Sequence, residues 1–162
     1  MEHRLTSPHA LIAVCLAALA LPAVAATVSC PDLATAVQVA ACPAEEELRY
    51  TFNGFCGSDA QAYKGETGVC TDYQDYRKLK NVALWESADG AFSAYVSCDR
   101  PPAEVRASRL SSLRIARQGR MNLLICSYGD GLNFTVRTRA ECRLIAIAGC
   151  EKDAAACRAA CD

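Results

Sequence analysis

The cysteines and histidines decide most of the chemistry open to this chain. It has eleven cysteines, while both histidines, His3 and His9, fall within the first ten residues. Histidine is the commonest general base near neutral pH and the commonest metal ligand. Downstream of residue 26 a Ser-His-Asp triad, a Cys-His pair and a histidine-based zinc site are therefore all excluded. A serine activated by lysine would need Lys64, Lys78, Lys80 or Lys152, and none stands in a Ser-x-x-Lys pattern. No Cys-x-x-Cys occurs, which removes the usual dithiol redox motif and the usual zinc knuckle together.

Carboxylate chemistry passes this filter. Two acids suffice for glycoside hydrolysis when a fold holds them about 5–9 Å apart. Glu66, Asp72, Asp75 and Glu86 are the candidates, although their spacing equally suits solvated surface acids. Asp72, Asp75 and Asp130 carry oxygens that suit calcium, but no Asp-x-Asp-x-Asp loop gathers them. Neither a metal nor a cofactor is expected.

A binding chemistry is better represented. Tyr63, Tyr73 and Tyr76 stand in polar, glycine-containing sequence beside Lys64, Arg77, Lys78 and Lys80. Tyrosine is rigid, amphipathic and hydrogen-bonding, and is favoured at contact surfaces for that reason. The competing reading is that these tyrosines cover the edge of a small core. Trp85, inside an apolar run, reads as core.

The ten cysteines beyond residue 26 are Cys30, Cys42, Cys56, Cys70, Cys98, Cys126, Cys142, Cys150, Cys157 and Cys161. They follow a start that reads as a secretory signal peptide: Arg4, an apolar run from Leu11 to Leu21, Pro22, and small residues up to Ala26. That run is shorter than the ~20 apolar residues of a spanning helix, so cleavage after Ala25 or Ala26 is expected, with no membrane span in the mature chain. Thr27-Val28-Ser29-Cys30 loosely resembles a lipobox, but Thr27 stands where leucine is usual, and lipidation would leave an odd thiol. An even ten can close as five bridges in an oxidising compartment, the periplasm or the exterior. Residues 27–162 then form one disulfide-rich domain whose modest core gains from cross-linking. Cys56 and Cys70 are natural anchors for the Gly-, Ser- and Asp-rich loop between them. The remaining pairings stay open.

Charge is uneven along the chain. Residues 27–99 carry eleven acids against five bases, whereas residues 100–143 carry nine arginines against three acids. The two halves either complement each other within one domain or leave an arginine-rich surface for an acidic partner, a protein or an envelope polymer. Nucleic acid is not expected, since the net charge is −1 and no nucleic-acid motif accompanies the arginines.

These residues must be positioned by short elements. Pro31 to Ala41 suits a short helix or, through Val37 and Val39, a strand. Leu48, Tyr50 and Phe52 alternate as on a strand. Strands are also expected over 81–85 and 91–98 around the turn Ala88-Asp89-Gly90, over 108–116 and 121–128 around Gln118-Gly119, and over 132–136 after Gly129-Asp130-Gly131. The apolar run 143–147 would close the sheet. The alanine-rich tail from Glu151 predicts a terminal helix with Cys150, Cys157 and Cys161 within about 20° of a common face. The expected fold is mainly β (α+β): a small antiparallel meander with a short C-terminal helix, braced by disulfides.

The segment Leu123-Leu-Ile-Cys126-Ser-Tyr128, followed by a glycine turn, an alternating strand and Cys142, resembles small bacterial periplasmic disulfide-rich β proteins. In those, an apolar strand ends in Cys-x-Tyr before a hairpin. The general plan is also similar to that of periplasmic lysozyme inhibitors. No inhibitory loop of those proteins matches this chain residue by residue, so no functional residue is carried over. The expectation is an exported bacterial binding or inhibitor module without catalytic activity. A small carboxylate hydrolase of envelope glycan and a structural envelope or adhesion component are the alternatives.

Overall fold

Alternating apolar and polar side chains build two antiparallel sheets, seen in a computed structural model that describes residues 26–57, 67–146, 149–150, 152 and 156–162. In chain order the strands are β1 (Ala26–Ser29), β2 (Val37–Gln38), β3 (Val82–Glu86), β4 (Ser93–Ser97), β5 (Ser112–Gln118), β6 (Met121–Ser127), β7 (Asn133–Thr138), β8 (Cys142–Ala146) and β9 (Arg158–Cys161). Six of them form a sheet in the order β2-β3-β4-β7-β6-β5, and three form a second in the order β1-β9-β8. The helices are α1 (Glu45–Cys56), α2 (Thr67–Thr71), α3 (Tyr73–Lys80) and α4 (Pro102–Ala107). The fold is mainly β with short helices.

Three tight turns set the strand register. Between β3 and β4, Gly90 takes a φ of 70° and donates its N–H to Ser87 O at 2.8 Å. The buried Ser87 hydroxyl accepts from Phe92 N–H at 3.0 Å and donates to Asp89, which holds the Asp89 carboxyl below its ordinary pKa. Between β5 and β6 the loop is Gly119-Arg120, with Gly119 at φ 61°. Between β6 and β7, Gly129, Asp130 and Gly131 are all left-handed, at φ 82°, 46° and 75°. Aspartate is among the few non-glycine residues that tolerate this region. Arg100 fixes the loop by donating to the Asp130 carbonyl at 3.0 Å.

One face of the six-stranded sheet carries the core: Ala83, Trp85, Ala94, Val96, Leu113, Leu124, Cys126 and Phe134. Leu33 from a single 3-10 turn (Leu33–Thr35), Val105 of α4, Leu110 and Ala159 of β9 cover it. The ten cysteines pair as Cys30–Cys126, Cys42–Cys98, Cys56–Cys70, Cys142–Cys161 and Cys150–Cys157.

Four expectations are corrected. Residues 48–52 are helical, not extended, because Leu48, Phe52 and Phe55 also recur at helical spacing and three glutamates at 45–47 favour a helix N-terminus. Residues 158–161 form β9 and not a helix. Ladders to β1 on one side and β8 on the other outweigh the helix propensity of its alanines, and Cys157 and Cys161 share no helical face. β8 belongs to the smaller sheet, so it does not close the larger one. Nor is the larger sheet one meander: it joins β2-β3-β4 to β7-β6-β5. The pair Pro101-Pro102 ends β4 and also starts α4, where proline suits the first helical position.

Candidate functional site

Most of the expected binding residues lie on α3. The Asp72 side chain caps this helix by accepting from Gln74 N–H at 3.0 Å. Tyr76 is buried against Phe52 and Phe55 of α1, with ring centroids 5.3 and 6.2 Å apart. Tyr73 stands 5.5 Å from Phe52, donates its hydroxyl to Glu45 at 2.8 Å, and lies under the Arg49 guanidinium at 4.5 Å. Arg77 makes a two-pronged contact with Asp99 at 2.9 and 3.0 Å and reaches Glu45 at 3.3 Å. Lys78 pairs with Asp75 at 3.3 Å, and the Lys80 ammonium sits 6.0 Å from the Phe55 ring. Tyr63 and Lys64 lie outside the described residues. The side chains of α3 thus build a helical projection, with Lys78 and Lys80 as its outward charges.

This network titrates. The hydrogen bond from Tyr73, followed by that from Arg77, holds Glu45 below the usual carboxylate range, and Arg77 does the same for Asp99. Carboxyls with depressed folded pKa values stabilise the fold fully above the unfolded range near pH 4, and lose that contribution as pH falls through the lower folded values. Thermal midpoints are expected to drop between about pH 5 and pH 2. Arg77→Met should flatten the slope, and an unchanged profile in that variant would exclude the network as its source.

The acids considered for hydrolysis are dispersed in role. Asp72 caps α3, Asp75 pairs with Lys78, Glu86 ends β3, and Glu66 lies outside the described residues. Asp130 sits at the β6–β7 turn. Among the described residues no group of three His, Cys, Asp or Glu side chains is placed to hold a metal ion.

The more informative surface is the face of the six-stranded sheet turned away from the core. Residues opposite one another in a ladder share a face, so register assigns its side chains. One row runs Arg114, Ile125, Thr135, Ser93, Glu86 and Val37 across the strands. The next holds Ala116, Leu123 and Arg137. On the other side of the first row, Ser112, Ser127 and Asn133 stand on β5, β6 and β7, and Tyr95 pairs with Leu84 on β4 and β3. Val39, just beyond β2, donates its N–H to the Leu84 carbonyl at 2.9 Å. At about 4.8 Å per strand this face is about 24 Å wide.

Its chemistry is divided. Tyr95 is 76 % exposed, Val37 48 % and Val39 51 %, giving an apolar, aromatic side over β2 to β4. Arg114 and Arg137 stand exposed over β5 to β7 and form no ion pair among the described residues. Serine, threonine and asparagine lie between. By contrast Arg77, Arg49 and Arg117 are each matched with a carboxylate. The ladder joining the two sides is a single pair, Ser93 with Thr135, and Thr135 Oγ1 donates to Ser93 O at 3.4 Å.

The charge imbalance of residues 100–143 allows an arginine-rich surface for an acidic partner but does not locate it, and Tyr95 is not among the expected binding residues. The signal that finds the face is the period of two: Ser112, Arg114 and Ala116 alternate with Leu113 and Ile115, and Ser93, Tyr95 and Ser97 alternate with Ala94 and Val96. Among the described residues no helix is long and apolar enough to cross a membrane. No protein-family model matches the chain, and no curated protein or solved structure does either.

Proposed function

We propose that this protein is an exported bacterial binding or inhibitor module, not a catalyst, and that it engages an acidic envelope polymer through the open face of its six-stranded sheet. Five disulfides support an oxidising compartment, where a leader of the kind read at residues 1–26 would deliver it. The observation that carries the reading is the unmatched pair Arg114 and Arg137 sharing one face with the exposed Tyr95. Guanidinium groups bind carboxylates and phosphates in two-pronged fashion, an exposed aromatic ring stacks on apolar faces of a ligand, and hydroxyls supply hydrogen bonds. A sheet face about 24 Å wide suits an extended chain. The resemblance of the Cys126-Ser-Tyr128 hairpin to small periplasmic proteins agrees with this placement.

Polygalacturonate and soluble peptidoglycan fragments are the probes, titrated at two salt concentrations. Affinity is expected to fall with added salt, and Arg114→Glu with Arg137→Glu should weaken it at least about tenfold, ~1.4 kcal/mol. Unaltered binding by the double variant would overturn the assignment of the face. Peptidoglycan cleavage lost on replacing Asp72, Asp75 and Glu86 would instead establish the hydrolase. Tight capture of an acidic protein, with no polymer binding, would move the partner to that class.

A further inference from the structure

A cavity of about 490 Å3 lies between the two sheets, on the face opposite the arginines. Val28 of β1, Phe92, Leu124 of β6, Val136 of β7 and Ala140 line it, and its wall is almost wholly apolar. Ligand sites typically enclose about 300–1,000 Å3. Such a wall offers an ordered water few of the two to four polar partners it needs.

The wall decides what kind of molecule would enter. Arg137 borders the cavity through its place in β7, but its register opposite Leu123 puts the guanidinium on the outer face, while Val136 opposite Leu124 points inward. The exposed Asp162 stands at the rim, where cleavage after Ala25 would also place the Ala26 ammonium, so the apolar wall and not the rim charge decides against a charged ligand. Thr138 Oγ1, also at the rim, accepts from Ala140 N–H at 3.1 Å and keeps its hydroxyl proton for an incoming oxygen. Burying an unpaired charge against such a wall is prohibitive.

We propose that the inter-sheet cavity binds an uncharged apolar small molecule carrying at most a hydroxyl or ether oxygen. This site is separate from the outer face, so binding here and polymer binding there stand or fall independently. The oxidised protein would be titrated with N-phenyl-1-naphthylamine, a neutral probe that fluoresces in apolar surroundings. Saturable binding at one site is expected, with decan-1-ol displacing the probe at least about tenfold more effectively than decanoate. Val28→Phe and Val136→Phe fill the space from opposite sheets, and each should lower probe affinity at least about tenfold. Arg114→Glu, on the outer face and outside the cavity wall, should leave it unchanged.

Nuclear Overhauser contacts between decan-1-ol and the methyls of Val28, Leu124 and Val136 would locate the site without any substitution. Lack of saturable binding, equal displacement by decanoate, indifference to both filling variants, or contacts to Leu84 and Tyr95 instead would each overturn the proposal.

Discussion

Replacing Cys30 and Cys126 together by alanine is expected to lower stability by about 4 kcal/mol, the largest loss from removing any single bridge. Both residues are buried, and their bond ties the segment after β1 to the C-terminal end of β6 across a sequence separation of 96. The Cys42–Cys98 bridge short-circuits that span, so the loop closed in the oxidised unfolded chain is about 40 residues, and the entropy estimate follows from that length. Two vacated sulfur sites in the core add a cavity cost. Removing Cys56 and Cys70, separated by 14, should cost less, about 3 kcal/mol at most, since Cys56 and Cys70 lie outside the main core. Urea unfolding of both double variants checks the order, and a larger loss at Cys56–Cys70 would contradict it.

Phe134→Ala should cost about 3–5 kcal/mol. Phe134 has no exposed surface, lies on β7 between β4 and β6, and meets Tyr128 edge to face at 5.9 Å. Tyr128 in turn donates its hydroxyl to the Pro31 carbonyl, so truncating Phe134 also loosens the anchor of the chain beside Cys30. Phe55, 39 % exposed on α1, provides the contrast, and Phe55→Ala should cost less than half as much. The midpoint in urea should shift with little change in slope. A loss near 1 kcal/mol for Phe134→Ala would mean that the core collapses readily around the gap.

The parts of the fold legible in the sequence are those where one residue type dictates backbone geometry. Gly90, Gly119 and the Gly129–Gly131 turn announce their hairpins because positive φ is costly for most other residues. The even count of ten cysteines beyond residue 26 announced five bridges, and the loop between Cys56 and Cys70 offered those two as its anchors. Elsewhere two periods competed. Leu48, Tyr50 and Phe52 alternate like a strand, yet Leu48 is buried while Tyr50 is 79 % exposed, as helical spacing with Phe52 and Phe55 requires. In the tail, local propensity favoured a helix, and only the long-range ladders of β1 and β8 made residues 158–161 a strand. The outer sheet face stayed hidden for a similar reason. Arg114 and Arg137 are 23 positions apart, and the two hairpins that set β5 and β7 beside β6 do not by themselves give the register that puts both arginines on one face.

With only Ser93 and Thr135 in register between β4 and β7, the large sheet is mechanically two plates meeting along a fold line. Each plate is stiffened by its own ladders, β3 with β4 in one and β5, β6 and β7 in the other. Tyr95 and Arg114 stand on opposite sides of that line, while Ala94, Val96 and Phe134 join the two plates through one core. Along that line the curvature of the sheet is set by side-chain packing more than by backbone rungs.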